Sequence, residues 1–262
     1  MNRLAGRRAI VTGGGSGIGR AGALRFAAEG AHVFVVGRTQ DTLDETVELI
    51  EKAGGVARSF VADVTIDDSV ANAVARCVET MGGLEIFYAN AGSAEKTAAF
   101  FDLSVADWEG VFRGNILSSF LAVKHAGRYM AQRGRGSIIL MSSAGSLRGN
   151  GGPFAYCAAK ASVNYIAQGA ANVLAGTNVR VNVILSGLVE TNMTRATFDQ
   201  ARARGVENKI GHITPLKRAG KPEEIAAVAA FLASDDSAFI DGQLIAADGG
   251  FSSTHPYGRV NV

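Results

Sequence analysis

The chain has little cysteine, little proline and no long apolar run. Its 2 cysteines, Cys77 and Cys157, are too few for a disulfide framework or a zinc site, and they suit a reducing compartment. No apolar run reaches about 18 residues, which argues against a transmembrane helix. The charged N-terminus has no long apolar region behind it, so we expect no cleaved signal peptide and a cytoplasmic location.

A large excess of charge of one sign is also missing. The net charge is +2, so a strong electrostatic attraction to nucleic acid or to an anionic membrane is not expected. Hydrophobic residues make up 47% of the 262 residues and charged residues 19%, which allows a substantial core and argues against disorder. Glycine is abundant instead, with 33 residues against 4 prolines, and it suits tight turns and close backbone approaches.

Short apolar runs alternate with helical patterns along the whole chain. Helical patterns are predicted at residues 20–29, 41–53, 67–81, 105–133, 155–175 and 221–234. Seven apolar runs are predicted as buried strands, at residues 9–11, 33–36, 56–61, 84–88, 138–141, 178–185 and 243–247. No linker or repeat divides the chain. We therefore expect one α/β domain over residues 1–262, a Rossmann-type doubly wound parallel sheet with helices on both faces.

Residues 12–19 form a glycine-rich turn between the first strand and the first helix. Such a turn brings backbone N–H groups and a helix N-terminus close to a phosphate. By analogy with the related dinucleotide fingerprint, its glycines permit the turn, the approach of a pyrophosphate and close helix packing. An ordinary glycine-rich turn is the alternative, but the strand–turn–helix context favours nucleotide binding. The predicted nucleotide contacts in this segment are Gly13, Ser16, Gly17, Ile18 and Gly19.

The ends of the second and third strands bear on the adenosine half of such a nucleotide. The second strand ends in Gly37-Arg38, with no carboxylate to bind an adenosine ribose and repel a 2′-phosphate. Arg38 supplies charge-assisted donors for phosphate, so NADP(H) is the favoured cofactor and NAD(H) the alternative. Otherwise Arg38 stacks on adenine or faces solvent. After the third strand, Asp63, followed by Val64, either accepts from the adenine amino group or caps a turn.

Small and polar residues follow the fourth strand and interrupt the long helical stretch after it. Asn90-Ala91-Gly92 can line a crevice, with Asn90 bracing the neighbouring backbone, and a plain strand-end turn is the alternative. Asn115 interrupts a mainly apolar sequence. Because a buried Asn has to be hydrogen-bonded, Asn115 is either satisfied structurally or holds a water.

Tyr156 and Lys160 lie four residues apart in a predicted helix, after a strand that ends in two serines. Residues at this spacing share one helix face, so the lysine ammonium lies near the phenol. Free tyrosine titrates near about 10, and a nearby ammonium is expected to lower that pKa by favouring phenolate. A serine hydroxyl at the strand end can lie beside both groups. The stretch therefore predicts a proton-transfer site.

Taken in order, these motifs resemble those of the short-chain dehydrogenase/reductase family over residues 9–251. One departure is Ser186-Gly187, where members usually have Pro-Gly, so that an N–H and a free φ return at this turn. The matching motifs are Thr12-Gly13-x-x-x-Gly17-x-Gly19, Asn90-Ala91-Gly92, Asn115, Ser143, Tyr156-x-x-x-Lys160 and Asp248-Gly249-Gly250.

The resemblance implies a role for each matching residue. Tyr156 would exchange a proton with the substrate oxygen, and Lys160 would lower the tyrosine pKa and hold the nicotinamide ribose. Ser143, with Ser142 as the adjacent alternative, would hydrogen-bond the substrate oxygen. Asn115 would brace a water that links Lys160 to solvent. At the nicotinamide end, contacts through backbone and hydroxyl are implied for Val189 and Thr191.

The implied activity is reversible hydride transfer between a nicotinamide cofactor and a ketone or secondary alcohol. Reduction of a 3-oxoacyl group on a carrier protein is the alternative within the family, with Arg128, Arg133 and Arg135 as part of a basic docking face. Residues 175–178 lack the arginine expected beside such a face. A small ketone, a steroid-like ring or another secondary alcohol is therefore preferred. A non-catalytic nucleotide-binding regulator is the alternative of another class, although it would have no chemical need for all four site residues.

The remaining expectations concern the flap, the tail and the partners. Residues 188–213 are expected to form a flap that sets the substrate, with a solvated surface helix as the alternative. Residues 252–262 form a polar tail that is either disordered or packed on a neighbouring subunit. The resemblance implies a homotetramer or dimer built on the helices around Asn115 and Tyr156 and on the seventh strand. A small-molecule substrate is expected, with no metal, nucleic acid or membrane partner.

Overall fold

The computed structural model of the chain describes residues 2–95 and 99–254. The strands in these ranges are β1 (Arg8–Thr12), β2 (His32–Gly37), β3 (Val56–Val61), β4 (Ile86–Ala89), β5 (Gly136–Ser143), β6 (Val179–Ser186) and β7 (Leu244–Ala247). They form one seven-stranded sheet in the order β3-β2-β1-β4-β5-β6-β7, and each neighbouring pair runs parallel. The prediction of a doubly wound parallel sheet is confirmed.

Helices connect the strands and cover both faces of the sheet. In the described chain they are α1 (Gly17–Ala28), α2 (Gln40–Lys52), α3 (Asp67–Met81), α4 (Val105–Phe112), α5 (Ser118–Ala122), α6 (Arg128–Arg133), α7 (Phe154–Val173), α8 (Arg195–Ala203) and α9 (Pro222–Ala233). Two π-helical turns, Arg113–Leu117 and Val123–Gly127, join α4 to α5 and α5 to α6. Short 3₁₀ turns lie at Phe100–Asp102, Ala144–Leu147, Glu207–Lys209 and Asp235–Ser237.

Two apolar clusters fill the spaces between the sheet and its two helical layers. Helices α1, α2 and α9 pack on one face, around residues such as Phe26. Helices α3, α5, α6 and α7 pack on the other face, around residues such as Met130. β1 serves both clusters, because Ile10 points into one and Val11 into the other. A sheet covered on both faces explains why its strands appear in the sequence as continuous apolar runs.

β4 begins at Ile86, two residues later than the apolar run at 84–88 predicts. Leu84 and Glu85 are buried and precede the paired residues of β4, although the Glu85 N–H donates to the Arg8 carbonyl and the Glu85 carbonyl accepts from the Ser137 N–H. The Glu85 carboxylate accepts from the Arg8 backbone N–H at 2.9 Å and pairs with the Arg8 guanidinium at 2.5 Å. A buried carboxylate requires such partners, and an apolar-run argument cannot anticipate them.

The turn after β6 accommodates the Ser186-Gly187 departure without breaking the sheet. Ser186 pairs with Ala247 of β7, and the Gly187 N–H donates to the Ala247 carbonyl at 3.1 Å. A Cβ on Gly187 would lie 2.7 Å from the Asp248 Cα, so this close approach requires the glycine.

The strand order reverses at β1, which has β2 on one side and β4 on the other. In open parallel sheets, a ligand crevice lies beyond the carboxyl ends of the strands at such a reversal. Gly13, Asn90 and Ser143 lie at or just beyond the carboxyl ends of β1, β4 and β5, and so they share this edge. No helix in residues 2–95 and 99–254 is both long and apolar enough to cross a bilayer. The predicted tail lies outside the described residues from position 255 onward.

Candidate active site

The glycine-rich turn leads directly into α1, which begins at Gly17. Gly13 and Gly17 have φ values of 65° and 52°, in the left-handed region that glycine enters without steric cost. A Cβ on Gly19 would lie 2.2 Å from the Gly13 carbonyl oxygen, so this contact also requires glycine. Ser16 makes no side-chain cap, and the first turn of α1 has no acidic side chain. The N–H groups at this helix end therefore remain available to an anion.

Asn90 and Ala91 tie the end of β4 to this turn. Asn90 Nδ2 donates to the Thr12 carbonyl oxygen at 3.1 Å, and the Ala91 N–H donates to Thr12 Oγ1 at 3.0 Å. The bracing of neighbouring backbone predicted for Asn90 is confirmed. Because the two strands flank the reversal, this bracing fixes the floor of the crevice.

At the adenosine end of the crevice, Arg38 is exposed and makes no hydrogen bond or ion pair with the described part of the chain. Asp63 Oδ1 accepts from the Thr65 N–H at 2.9 Å and from the Thr65 hydroxyl at 2.8 Å. These bonds, with the charge of Arg38 nearby, hold the pKa of Asp63 below its usual range. Asp63 thus caps a turn, and its contact with adenine stays a prediction. Two other predicted contacts, Ile18 and Val64, are partly buried against the core clusters.

Tyr156 and Lys160 lie at the start of α7, against the carboxyl end of β5. Lys160 is buried, and its Nζ donates to the Met141 carbonyl oxygen at 2.9 Å. The same nitrogen lies 5.5 Å from the centroid of the Tyr156 ring. Ser142 Oγ donates to the Lys160 carbonyl oxygen at 2.9 Å and so ties α7 to β5. Because Ser142 is used in this way, Ser143 is the serine left to act beside the phenol.

Burial controls the pKa of both groups. Burial raises the pKa of the Tyr156 phenol to about 12, with the Ser143 hydroxyl acting in the opposite direction. Burial lowers the pKa of the Lys160 ammonium to about 8. The expected lowering of the tyrosine pKa is therefore wrong for this structure. The cost of burying a phenolate exceeds the attraction of an ammonium that lies 5.5 Å from the ring centroid.

Asn115 is buried in a π-helical turn, and only one end of its amide is satisfied. Nδ2 donates to the Val111 carbonyl at 2.8 Å and to the Ser93 carbonyl at 3.0 Å. Oδ1 is buried without a partner among the residues described. A Cβ on Gly92 would lie 2.7 Å from Asn115 Oδ1 and 3.4 Å from Lys160 Nζ. Because an unbonded buried acceptor costs free energy, Asn115 Oδ1 is a candidate partner for a water, and the water path stays a prediction.

Glu95 contacts the predicted catalytic helix, although the sequence analysis did not identify it. Its Oε2 accepts from the backbone N–H of Tyr156 at 2.8 Å, across a separation of 61 positions in the chain. The N-cap of α7 is Pro153, which has no side-chain acceptor, so Glu95 supplies a cap from the loop after β4. Burial raises the pKa of the Cys157 thiol, and the Glu95 charge adds to this shift. In the sequence, the only signal for this contact is the proline at the cap position, because it leaves the first N–H groups of α7 without a side-chain acceptor.

A cavity of about 290 Å³ lies between the glycine-rich turn and the flap. Thr191 lies over the turn, because a Cβ on Gly17 would be 3.2 Å from its side chain. Val189 is buried and bridges to Gly220, and its contact with the nicotinamide end stays a prediction. The cavity is lined by Gly17, Glu190, Thr191, Asn192, Arg195, Asp199 and Arg202.

These features fit a dinucleotide, and they define an oxidoreductase of the Rossmann class. The chain belongs to the short-chain dehydrogenase/reductase family, since a family model described as enoyl-(acyl carrier protein) reductase matches residues 13–252. It is 37% identical over 248 residues to the 3-oxoacyl-(acyl-carrier-protein) reductase of Thermotoga maritima, covering 95% of this chain and 98% of that protein. It is 34% identical over 259 residues to the 7α-hydroxysteroid dehydrogenase of Clostridium sardiniense, covering 98% and 97%.

A solved structure agrees with the sequence relatives. It is described as an NAD(P)-dependent gluconate 5-dehydrogenase from Beutenbergia cavernae with bound NADP. It matches with a TM-score of 0.86 and 35% identity, over 96% of this chain and 98% of that chain. The protein is therefore an NAD(P)-dependent oxidoreductase that transfers hydride between nicotinamide and its substrate.

Proposed function

We propose that the protein interconverts a ketone and a secondary alcohol with NADP(H), and that Tyr156 exchanges the proton. The observation that carries the proposal is the grouping of Tyr156, Lys160 and Ser143 at the carboxyl end of β5, with Asn115 across a small gap. Burial of a lysine disfavours its charge and costs stability. A chemical task explains why such a lysine stands beside a phenol, whereas nucleotide binding alone does not require that phenol.

The residues of the chain handle the proton, and the bound nicotinamide supplies or accepts the hydride. The Ser143 hydroxyl holds the substrate oxygen beside the phenol. In reduction, Tyr156 donates its proton to that oxygen, and a high pKa keeps the phenol protonated until the oxygen gains negative charge. The Lys160 ammonium then stabilises the phenolate. The phenolate regains its proton at the expense of the Lys160 ammonium, a water at Asn115 Oδ1 returns a proton to Lys160, and oxidation uses the same groups in reverse.

The proposed substrate is apolar around its reacting carbon. In the flap, the side chains of Leu188, Met193 and Ile213 are apolar and exposed. Leu147, four residues after Ser143, is also exposed. Binding sites for small molecules are lined mainly by apolar groups with a few placed polar ones, and these exposed apolar side chains support such a lining for the proposed substrate site. The similarity to a hydroxysteroid dehydrogenase supports a secondary alcohol on a ring.

Reduction of a 3-oxoacyl group on a carrier protein is the second candidate, supported by the Thermotoga maritima relative. The basic face suggested by Arg128, Arg133 and Arg135 adds no support. These residues precede β5, whereas Ser143 ends it, and the 8 residues of β5 separate the two edges by roughly 20 Å or more. Arg135 is also paired with Glu85 at 3.1 Å.

A substrate panel distinguishes these candidates. Absorbance of the reduced nucleotide would be followed with cyclic ketones, secondary alcohols and a 3-oxoacyl thioester, free and on a carrier protein, each with both nucleotides. We expect the highest kcat/KM for a cyclic ketone with NADPH. A higher kcat/KM for the carrier-bound thioester would favour the second candidate. Nucleotide binding without any turnover would favour the non-catalytic regulator.

The proposed preference for NADP(H) depends on Arg38, the exposed cation after β2. The NADP bound in the Beutenbergia cavernae structure supports it. Arg38→Ala should lower kcat/KM for NADPH by about 10- to 100-fold, as loss of a charged hydrogen bond does, and leave NADH unaffected. Arg58→Ala is the control, because Arg58 lies on β3 and pairs with Glu51 at 3.2 Å. A wild-type preference for NADH would overturn this part of the proposal.

Assembly as a homotetramer or dimer and a cytoplasmic location stay predictions. Three exposed apolar side chains support assembly through the surfaces that the family resemblance implies. They are Tyr165 and Val173 on α7 and Phe239 before β7. Light scattering would measure the mass in solution, and a monomer at micromolar concentration would contradict the prediction.

A further inference from the structure

The cavity beneath the flap holds one cation that lacks a carboxylate partner. Two of its arginines come from α8. Arg202 pairs with Glu190 and, at 3.2 Å, with Asp199, so it contacts both acidic groups of the lining. Within the described ranges, Arg195 makes one side-chain hydrogen bond, to the Asn192 amide oxygen, and no ion pair. The guanidinium of Arg195 therefore lies at the cavity wall with no carboxylate within ion-pair distance among the described residues.

The ends of two helices face the same space. Gly17 opens α1 without a side-chain cap or an acidic residue in the first turn. Thr194 precedes α8, but its hydroxyl donates to the Val189 carbonyl at 2.6 Å, so it does not cap that helix either. The first turn of α8 also lacks an acidic residue. Each helix start carries partial positive charge, and Arg195, the first residue of α8, adds a full charge to it.

We propose that Arg195 binds the diphosphate of the nicotinamide dinucleotide and so holds the flap closed over the bound cofactor. Thr191 lies against Gly17, Arg195 follows it by four residues, and all three residues line the same cavity. A guanidinium has a planar fork of donors that matches phosphate oxygens, so Arg195, which has no ion pair among the described residues, can bind them bidentately. The inference rests on the proposed function only in requiring a dinucleotide in the crevice.

The test compares ADP with AMP, because the two differ by one phosphate and neither carries a 2′-phosphate. Binding would be measured by calorimetry for the wild type, Arg195→Gln, Arg195→Lys and Arg204→Gln. Arg204 is the control, since it lies at the other end of α8 and outside the cavity lining. We expect Arg195→Gln to weaken ADP binding by about 10- to 100-fold, the loss typical of a charged hydrogen bond, and AMP binding by much less. Arg195→Lys should retain part of the affinity, and Arg204→Gln all of it.

A second readout follows the flap itself. Hydrogen exchange of the peptide over residues 190–203 should slow when ADP is added to the wild type, and not when it is added to Arg195→Gln. Equal ADP affinity and equal protection in the two proteins would overturn the inference. The proposed function fails separately, if the wild type binds ADP and NADPH but turns over no ketone. A wild type that binds no nucleotide would overturn both.

Discussion

The two walls of the crevice hold their functional groups in different ways. On the wall made by β5, α7 and the π-helical turn, Lys160 is 4% exposed and Asn115 1%, and both donate to backbone carbonyls. On the flap wall, Arg202 pairs with Glu190, and both side chains are nearly half exposed. A buried group is fixed by the packing around it, whereas an exposed pair is screened by water. Under the proposed function, proton transfer, which needs fixed geometry, would take place at the first wall, and ligand selection would fall to the second.

The helices of the two walls, α7 and α8, also differ in how much of their surface is buried. α7 buries side chains along its length, including Ala155, Ala159, Val163 and Ala167. α8 buries only Phe198 among its described residues. Because local opening costs less free energy where few apolar groups are buried, we expect α8 to open more readily than α7. Under the proposed function, this difference would let the cofactor enter on the α8 side without disturbing the proposed proton-transfer groups on α7.

The largest effect should follow removal of the phenol from the buried wall. Tyr156→Phe deletes one oxygen and leaves the packing of the ring in place. We expect kcat to fall by about 10²- to 10⁴-fold, the usual contribution of a general acid-base group, while NADPH still binds. Tyr165→Phe is the matched control, since Tyr165 lies on the same helix but is 75% exposed. Near-wild-type turnover of the Tyr156 variant with a confirmed substrate would refute the assignment.

The next effect concerns the buried charge of Lys160. Its pKa is lowered by burial from 10.5 to about 8, so between these values the unfolded chain binds more protons than the folded one. The stability of the wild type should therefore rise with pH across this window, and the penalty is constant below about pH 8. Lys160→Met removes the titration. We expect its stability relative to the wild type to drop by about 3 kcal/mol between pH 8 and pH 10.5.

Urea unfolding at a series of pH values would measure this linkage. Tyr156 contributes in the opposite direction above about pH 10 and is coupled to Lys160, so the comparison depends mainly on the range from pH 8 to pH 10. Lys52→Met is the control, because its side chain is 69% exposed. Parallel stability curves for the wild type and Lys160→Met would show that Lys160 is not strained by burial, and the contrast between the two walls would weaken.

Much of the fold could be predicted because apolar periodicity reports burial directly. The bounds predicted for β3 and α3 agree with Val56–Val61 and Asp67–Met81. The helical stretch 105–133 is also found, but its two π-helical turns were not predicted. A π turn inserts a residue without changing the run of apolar side chains, so periodicity cannot locate it. The turn at Asn115 therefore needed the structure.

Some features of the site could be predicted from nearby positions in the sequence, whereas others depend on tertiary contacts. Spacing along one helix predicted that Tyr156 and Lys160 lie close together, and they do. Spacing could not predict the pKa of Tyr156, since burial comes from elements distant in the chain. The cap from Glu95 was missed for the same reason. Sequence motifs name the reacting groups here, while tertiary contacts set their charge and position.

A smaller effect should follow loss of that cap. Glu95→Ala removes the acceptor for the Tyr156 N–H, and we expect a loss of about 1 kcal/mol in unfolding free energy, as for other helix caps. The start of α7 should fray, so Cys157 should react faster with a thiol reagent, while the fully buried Cys77 serves as an internal control. Glu95→Gln keeps an acceptor oxygen and should restore most of the stability. Equal behaviour of the Ala and Gln variants would argue against capping.

The smallest effect should come from the ion pairs of the flap. Arg202→Ala removes contacts with Glu190, Asp199 and Glu207, all of them exposed. Exposed pairs gain little Coulomb energy in water and lose side-chain entropy, so we expect Tm to change by less than about 2 °C. Scanning calorimetry at low and high salt would measure it, and a large, salt-sensitive drop would show that these pairs hold the flap in place. The flap would then be as firmly held as the wall formed by β5 and α7, and the proposed contrast between the two walls would be wrong.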